Sequence, residues 1–119
     1  MTEPEPPVVA VVRDLFFVAR IRETARLAGV PLVFARTPEE LATALAAPVR
    51  FVLLDLTSTF DYARVFATVE AAGETPVLGY TTHVLARQTQ PWHARCARVV
   101  TKETLTQELP TLLREGVAA

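Results

Sequence analysis

Three aspartates and one lysine stand out in a chain that otherwise builds its charges from glutamate and arginine. Eleven of the twelve basic residues are arginine, and only Lys102 is lysine; of the thirteen acids, only Asp14, Asp55 and Asp61 are aspartate. Asp14 in "VVRDLFF", Asp55 in "FVLLDL" and Lys102 in "VVTK" each follow a short apolar run. Carboxylates gathered at such ends are hard oxygen ligands of the kind a divalent cation takes. Arg13, directly before Asp14, sets up the competing arrangement, a guanidinium standing where a metal would and pairing with the acids.

Other chemistries find little support. His93 and Cys96 are three residues apart, but His83 is the only further ligand nearby and Pro91 disturbs the spacing, so no metal centre is expected there. The only serine, Ser58, follows its apolar run without a nucleophile elbow. "DLTST" (Asp55 to Thr59) partly resembles the D-x-D-x-T motif of aspartate-nucleophile phosphohydrolases, but Thr57 stands where the proton-donating acid would be. No enzymatic turnover is expected from any of these arrangements.

The elements that must position these residues are short and regularly spaced. At 119 residues the chain fits one domain, expected over residues 8–116, after an acidic, proline-rich lead-in over residues 1–7 read as disordered. A formal charge of -1 points to neither nucleic acid nor a membrane surface. A single cysteine fits a reducing cytoplasm, and no apolar run approaches the length of a membrane span. Apolar runs alternate with helix-like segments five times, which predicts an α/β fold with an open parallel sheet in the order 2-1-3-4-5 and helices on both faces. The first helix should turn Phe17, Val18, Ile21, Ala25 and Ala28 inward and stop at Gly29. The second opens on Thr37, Pro38 and Glu40, a capping box. "VRFVLLDL" reads as a central strand buried on both faces. The fourth helix should run from about Val84 to Pro91, with Trp92 packed at its end, and the last is expected to kink or start near Pro110. Ligands of such sheets collect at the carboxyl ends of the strands.

With these positions in strand order, the sequence resembles the receiver domain of two-component response regulators, from Val8 to about Gly116. The resemblance implies a flavodoxin-like (βα)5 fold, with Asp55 as phosphoacceptor, Asp14 as the second member of an acidic pair, Thr81 as the hydroxyl residue and Lys102 as the lysine. It also implies Mg²⁺ held by Asp14, Asp55 and the Thr57 backbone carbonyl, with Lys102 and Thr81 binding the phosphoryl oxygens. The partner would be a histidine kinase, a phosphotransfer protein, a downstream protein or a second copy of the chain. Phe16 and Phe17, beside the site, are candidates for that contact.

The chain departs from the receiver pattern at five places. Arg13 replaces the first acid, Thr82 a small residue after Thr81, Val99 the switch aromatic, Glu103 a proline after the lysine, and Arg95 a glycine before the fifth strand. A guanidinium about 4 Å from either carboxylate, at an effective dielectric near 20, would attract it by about 4 kcal/mol before desolvation and oppose Mg²⁺. The expectation is therefore an atypical receiver acting as a protein-interaction module, with Asp55 phosphorylation weak or absent. The alternatives are a competent single-domain receiver phosphorylated on Asp55 with Mg²⁺, and a flavodoxin-like ligand-binding domain, which lacks a glycine-rich phosphate loop.

Overall fold

The structure, a computed structural model, describes residues 5–118. Five strands, β1 (Val8–Val11), β2 (Leu32–Phe34), β3 (Phe51–Asp55), β4 (Val77–Thr81) and β5 (Arg98–Thr101), form one sheet. They alternate with helices α1 (Leu15–Ala28), α2 (Pro38–Leu45), α3 (Tyr62–Ala71), α4 (Ala86–His93), α5 (Lys102–Gln107) and α6 (Leu109–Glu115). The strand order is β2-β1-β3-β4-β5 and every pairing is parallel, as the alternation predicts.

Every residue of β1 and β3 is buried, which explains their unbroken apolar runs. Strand alternation splits the core in two. Val8, Ala10, Leu53, Leu78 and Tyr80 pack with Phe17 and Ile21 of α1, Leu105 of α5 and Leu112 of α6. Val9, Val52, Leu54 and Val77 pack with Leu41 of α2 and Val65, Phe66 and Val69 of α3. On this second face Trp92 of α4 stacks on Phe66 at 5.8 Å and meets Tyr62 at 5.7 Å, so α4 is fastened to α3 by rings.

The helix signals act as read. Phe17, Val18, Ile21 and Ala25 are buried, Ala28 packs at the margin of the core, and Gly29 closes α1 at φ 70°, a left-handed conformation that costs glycine little. Thr37 accepts the Glu40 N–H at 3.1 Å, with Pro38 in the first turn of α2. One boundary differs from expectation. α4 begins at Ala86 and continues through Pro91 to His93. The closing segment is two helices that break at Glu108, and Pro110 sits in the first turn of α6, the start expected there. The lead-in expected over residues 1–7 lies partly outside the described residues; within its described part, Glu5 pairs with Arg50 at 3.0 Å and the Pro7 carbonyl accepts the Arg50 N–H at 2.9 Å.

Candidate functional site

The carboxyl ends of β1, β3 and β4 meet the start of α5 at one edge. Asp14 is the N-cap of α1: its Oδ1 accepts the Phe16 and Phe17 N–H groups at 3.0 and 3.2 Å, filling two of the four free donors of a helix start. Its Oδ2 lies 3.5 Å from Lys102 Nζ, and both side chains are about two-fifths exposed. The hydrogen bond from Phe17 holds the Asp14 carboxyl below its ordinary value, with help from Lys102 and Phe16 and against the effect of desolvation.

Asp55 is 6 % exposed. Its Oδ1 accepts the Thr57 N–H at 2.8 Å and the Thr57 hydroxyl at 2.6 Å. Among the described residues no cation pairs with it. Lys102, the natural partner in sequence terms, is the first residue of α5, and its ammonium goes to Asp14 and over the Phe17 ring at 5.0 Å.

Arg13 does not take the place that the sequence suggested. Its Nη1 donates to Thr59 Oγ1 at 2.9 Å, its Nη2 donates to the Arg36 carbonyl at 3.3 Å, and its guanidinium lies 4.2 Å from the Phe60 ring centre. Among the described residues it forms no ion pair. The reason is competition: the α1 N–H groups and Lys102 draw Asp14 one way, while a flat donor with an aromatic face available turns the other. Arg13 thus ties the β1–α1 loop to the β3–α3 loop and to the chain just beyond β2.

Thr81 is buried, and its hydroxyl pairs with Thr89 Oγ1 of α4 at 2.9 Å; Thr89 in turn meets His93 Nε2 at 2.8 Å. The hydroxyl expected to face the site is tied to α4 by a side chain rather than satisfied by backbone alone. Phe16 is 92 % exposed and Phe17 is 5 % exposed. Of the two partner-contact candidates, a partner could reach only Phe16; Phe17 belongs to the core stripe.

Three functional neighbours are absent from the sequence reading. Tyr62 donates to the Asp55 carbonyl at 2.7 Å and accepts the Ser58 N–H at 2.9 Å, bracing the β3–α3 loop. Burial, assisted by the Asp55 charge, pushes its phenol up to about 12. Thr89 carries the Thr81 contact, and Tyr80 lies beside Asp55 in the strand register. Two signals were available: a tyrosine seven residues after Asp55 at a helix start, and a phenol in the otherwise apolar run "PVLGYT".

No protein-family model matches the chain, and no curated protein matches it. Solved structures do. The receiver domain of the sensor histidine kinase PA1611 from Pseudomonas aeruginosa, described with a magnesium ion coordinated in its active-site cleft, superposes with a TM-score of 0.74 at 14 % identity, over 98 % of this chain and 100 % of that one. The chemotaxis response regulator CheY4 of Vibrio cholerae gives 0.69 at 22 % identity, over 91 % and 98 %. The fold is that of a receiver domain. A de novo designed Rossmann 2x3 protein also reaches 0.66 at 14 % identity, over 94 % and 92 %, so the likeness establishes architecture and leaves function to the site.

The receiver fold raises Mg²⁺ as a candidate, and the side chains as arranged do not fit it. Among the described residues no three His, Cys, Asp or Glu groups come together. Asp14 gives one oxygen to α1 and faces Lys102 with the other, and Asp55 Oδ1 is held by Thr57. Mg²⁺ wants near-octahedral oxygen ligands that are free to turn toward it.

Proposed function

We propose that the chain is an atypical receiver-type signalling domain that works as a protein-interaction module in a two-component or derived pathway, with phosphorylation at Asp55 weak or absent. The observation that carries this reading is the engagement of the acids: Asp14 serves as cap and as the Lys102 partner, Asp55 is hydrogen-bonded by Thr57, and the first acidic position is Arg13, turned into a clamp. Phosphoryl transfer to Asp55 would need a cation beside it to neutralise the phosphoryl group, and Lys102 is instead engaged by Asp14, while Thr57 holds Asp55 Oδ1 alone. The surface next to the site favours a protein partner. Phe16, 92 % exposed, lines a crevice of about 340 Å³ together with Asp14, Phe17, Arg20, Lys102 and Thr106, and its chain neighbour Leu15 is 71 % exposed. An exposed phenylalanine flanked by two cations suits a histidine kinase, a phosphotransfer protein, a downstream protein or a second copy presenting apolar and acidic groups. Nothing in the charge balance favours nucleic acid, and among the described residues no helix is long and apolar enough to cross a membrane.

A second reading keeps support from one observation: Arg13 touches neither carboxylate, so a competent receiver using Mg²⁺ and Asp55 is not blocked by it directly. Incubation with Mg²⁺ and beryllofluoride or a small phosphodonor, followed by intact mass and amide shifts, separates the two. The interaction-module reading expects little or no adduct. An Mg²⁺-dependent adduct that disappears in Asp55→Asn establishes the competent receiver instead, and a gain confined to Arg13→Asp shows that the missing acid is what the site lacks.

A further inference from the structure

Tyr80 is 1 % exposed and pairs in register with Asp55 across β3 and β4. It packs in the same core as Leu53, two residues before Asp55, so strand alternation sends the Asp55 and Tyr80 side chains to one face of the sheet. Phe17 meets the Tyr80 ring edge-on at 5.4 Å and carries Lys102 on its own ring, closing the phenol in beneath the Asp14–Lys102 pair. Among the described residues, Tyr80 Oη is the one buried side-chain polar atom without a hydrogen-bond partner. Burial first, and then the charges of Asp55 and Asp14, drive its ionisation well above the ordinary range, so it remains a donor.

A buried donor without an acceptor is costly and rare. The acceptor at hand is Asp55, whose Oδ1 already binds Thr57, whose carboxylate has capacity for further hydrogen bonds, and with which no cation pairs among the described residues. The phenol lies close enough for that carboxylate to oppose its ionisation, while the static geometry stops short of a hydrogen bond. From these relationships we infer that Tyr80 is a positioning residue for Asp55: its hydroxyl donates to the Asp55 carboxylate from inside the core and holds an oxygen of it toward the sheet, away from the solvent edge. The inference rests on the reading of Asp55 as a poor phosphoacceptor only for its consequence, since an oxygen held this way is a weaker nucleophile.

The test needs neither Mg²⁺ nor a phosphodonor, so its failure is distinct from failure of the proposed function. Removing a hydrogen-bonded buried hydroxyl destabilises, and removing an orphan does not. Tyr80→Phe should therefore lower the unfolding midpoint of the wild-type protein and leave unchanged or raise that of Asp55→Ala. Equal effects in both backgrounds overturn the inference. The positioning itself is read from carboxyl carbons. The chain has three aspartates, so aspartate labelled at Cγ gives three signals by NMR. Tyr80→Phe should displace the Asp55 signal and leave those of Asp14 and Asp61 in place; an unmoved Asp55 signal leaves Tyr80 a packing residue only.

Discussion

Arg13 and Thr59, forty-six residues apart, are joined by a 2.9 Å hydrogen bond that brings the loop after β1 against the loop after β3. The same guanidinium also reaches the Arg36 carbonyl and the Phe60 ring. One side chain therefore holds together three segments that border the Asp55 edge, and it does so without touching a carboxylate. The consequence is local: Arg13 adds to the order that Asp55 and Tyr62 already give the β3–α3 loop.

Arg13→Ala should destabilise the domain by about 1 kcal/mol, the scale of a partly exposed charged hydrogen bond with a cation–π contact. Amide exchange of Thr59 and Phe60 should quicken more than that of β1. Denaturant unfolding and hydrogen exchange measure the two effects. Arg13→Lys should recover only part of either, because an ammonium lacks the planar fork that reaches Thr59 and Arg36 together.

Asp14 should matter to stability mainly as a cap. Asp14→Ala is expected to cost about 1 kcal/mol, whereas Asp14→Asn keeps a capping oxygen and should lose only a few tenths, since the exposed Lys102 pair contributes about 0–1 kcal/mol. The pH dependence has a definite sign. Folding depresses the Asp14 pKa, so its contribution is present above the unfolded value, 3.8, and fades as pH falls through the lower folded value. The stability difference between wild type and Asp14→Asn should be constant near neutrality and shrink on acidification below about pH 4. A difference that grows on acidification contradicts the assignment.

Tyr62→Phe should loosen the β3–α3 loop. It removes the donor to the Asp55 carbonyl and the acceptor of the Ser58 N–H, leaving two partly buried backbone groups to find water. A loss of about 1–3 kcal/mol is expected, with faster exchange of the Ser58 amide as its local signature. An unchanged Ser58 amide would mean that the tyrosine does not brace this loop.

Thr89→Val should cut the path from Thr81 to His93. Both buried hydroxyl contacts are lost at nearly constant volume, for about 1–2 kcal/mol. The His93 ring should then lose its Nε2 partner, a change visible in its ¹⁵N resonances, and the α4 amides should exchange faster than those of α3. If the rings alone hold α4, Trp92 will keep it on α3 and the α4 exchange rates will not move.

Local chemistry alone determined the architecture. Unbroken apolar runs, period-3.6 stripes, the Thr37–Pro38–Glu40 start and Gly29 each act within a few residues, so strand order, helix faces and the sheet edge that gathers Asp14, Asp55, Thr81 and Lys102 were legible in advance. Which charge meets which was decided only in three dimensions. Asp14 is adjacent to Arg13 in the chain yet pairs with Lys102, because the first turn of α1 claims one of its oxygens and aims the other. Arg13 finds Thr59 and Phe60, and Asp55 lies beside a buried phenol, through contacts between segments that the sequence keeps 25 to 47 residues apart. Partners at that separation are set by side-chain direction and competition among donors, neither of which a residue's type or spacing encodes.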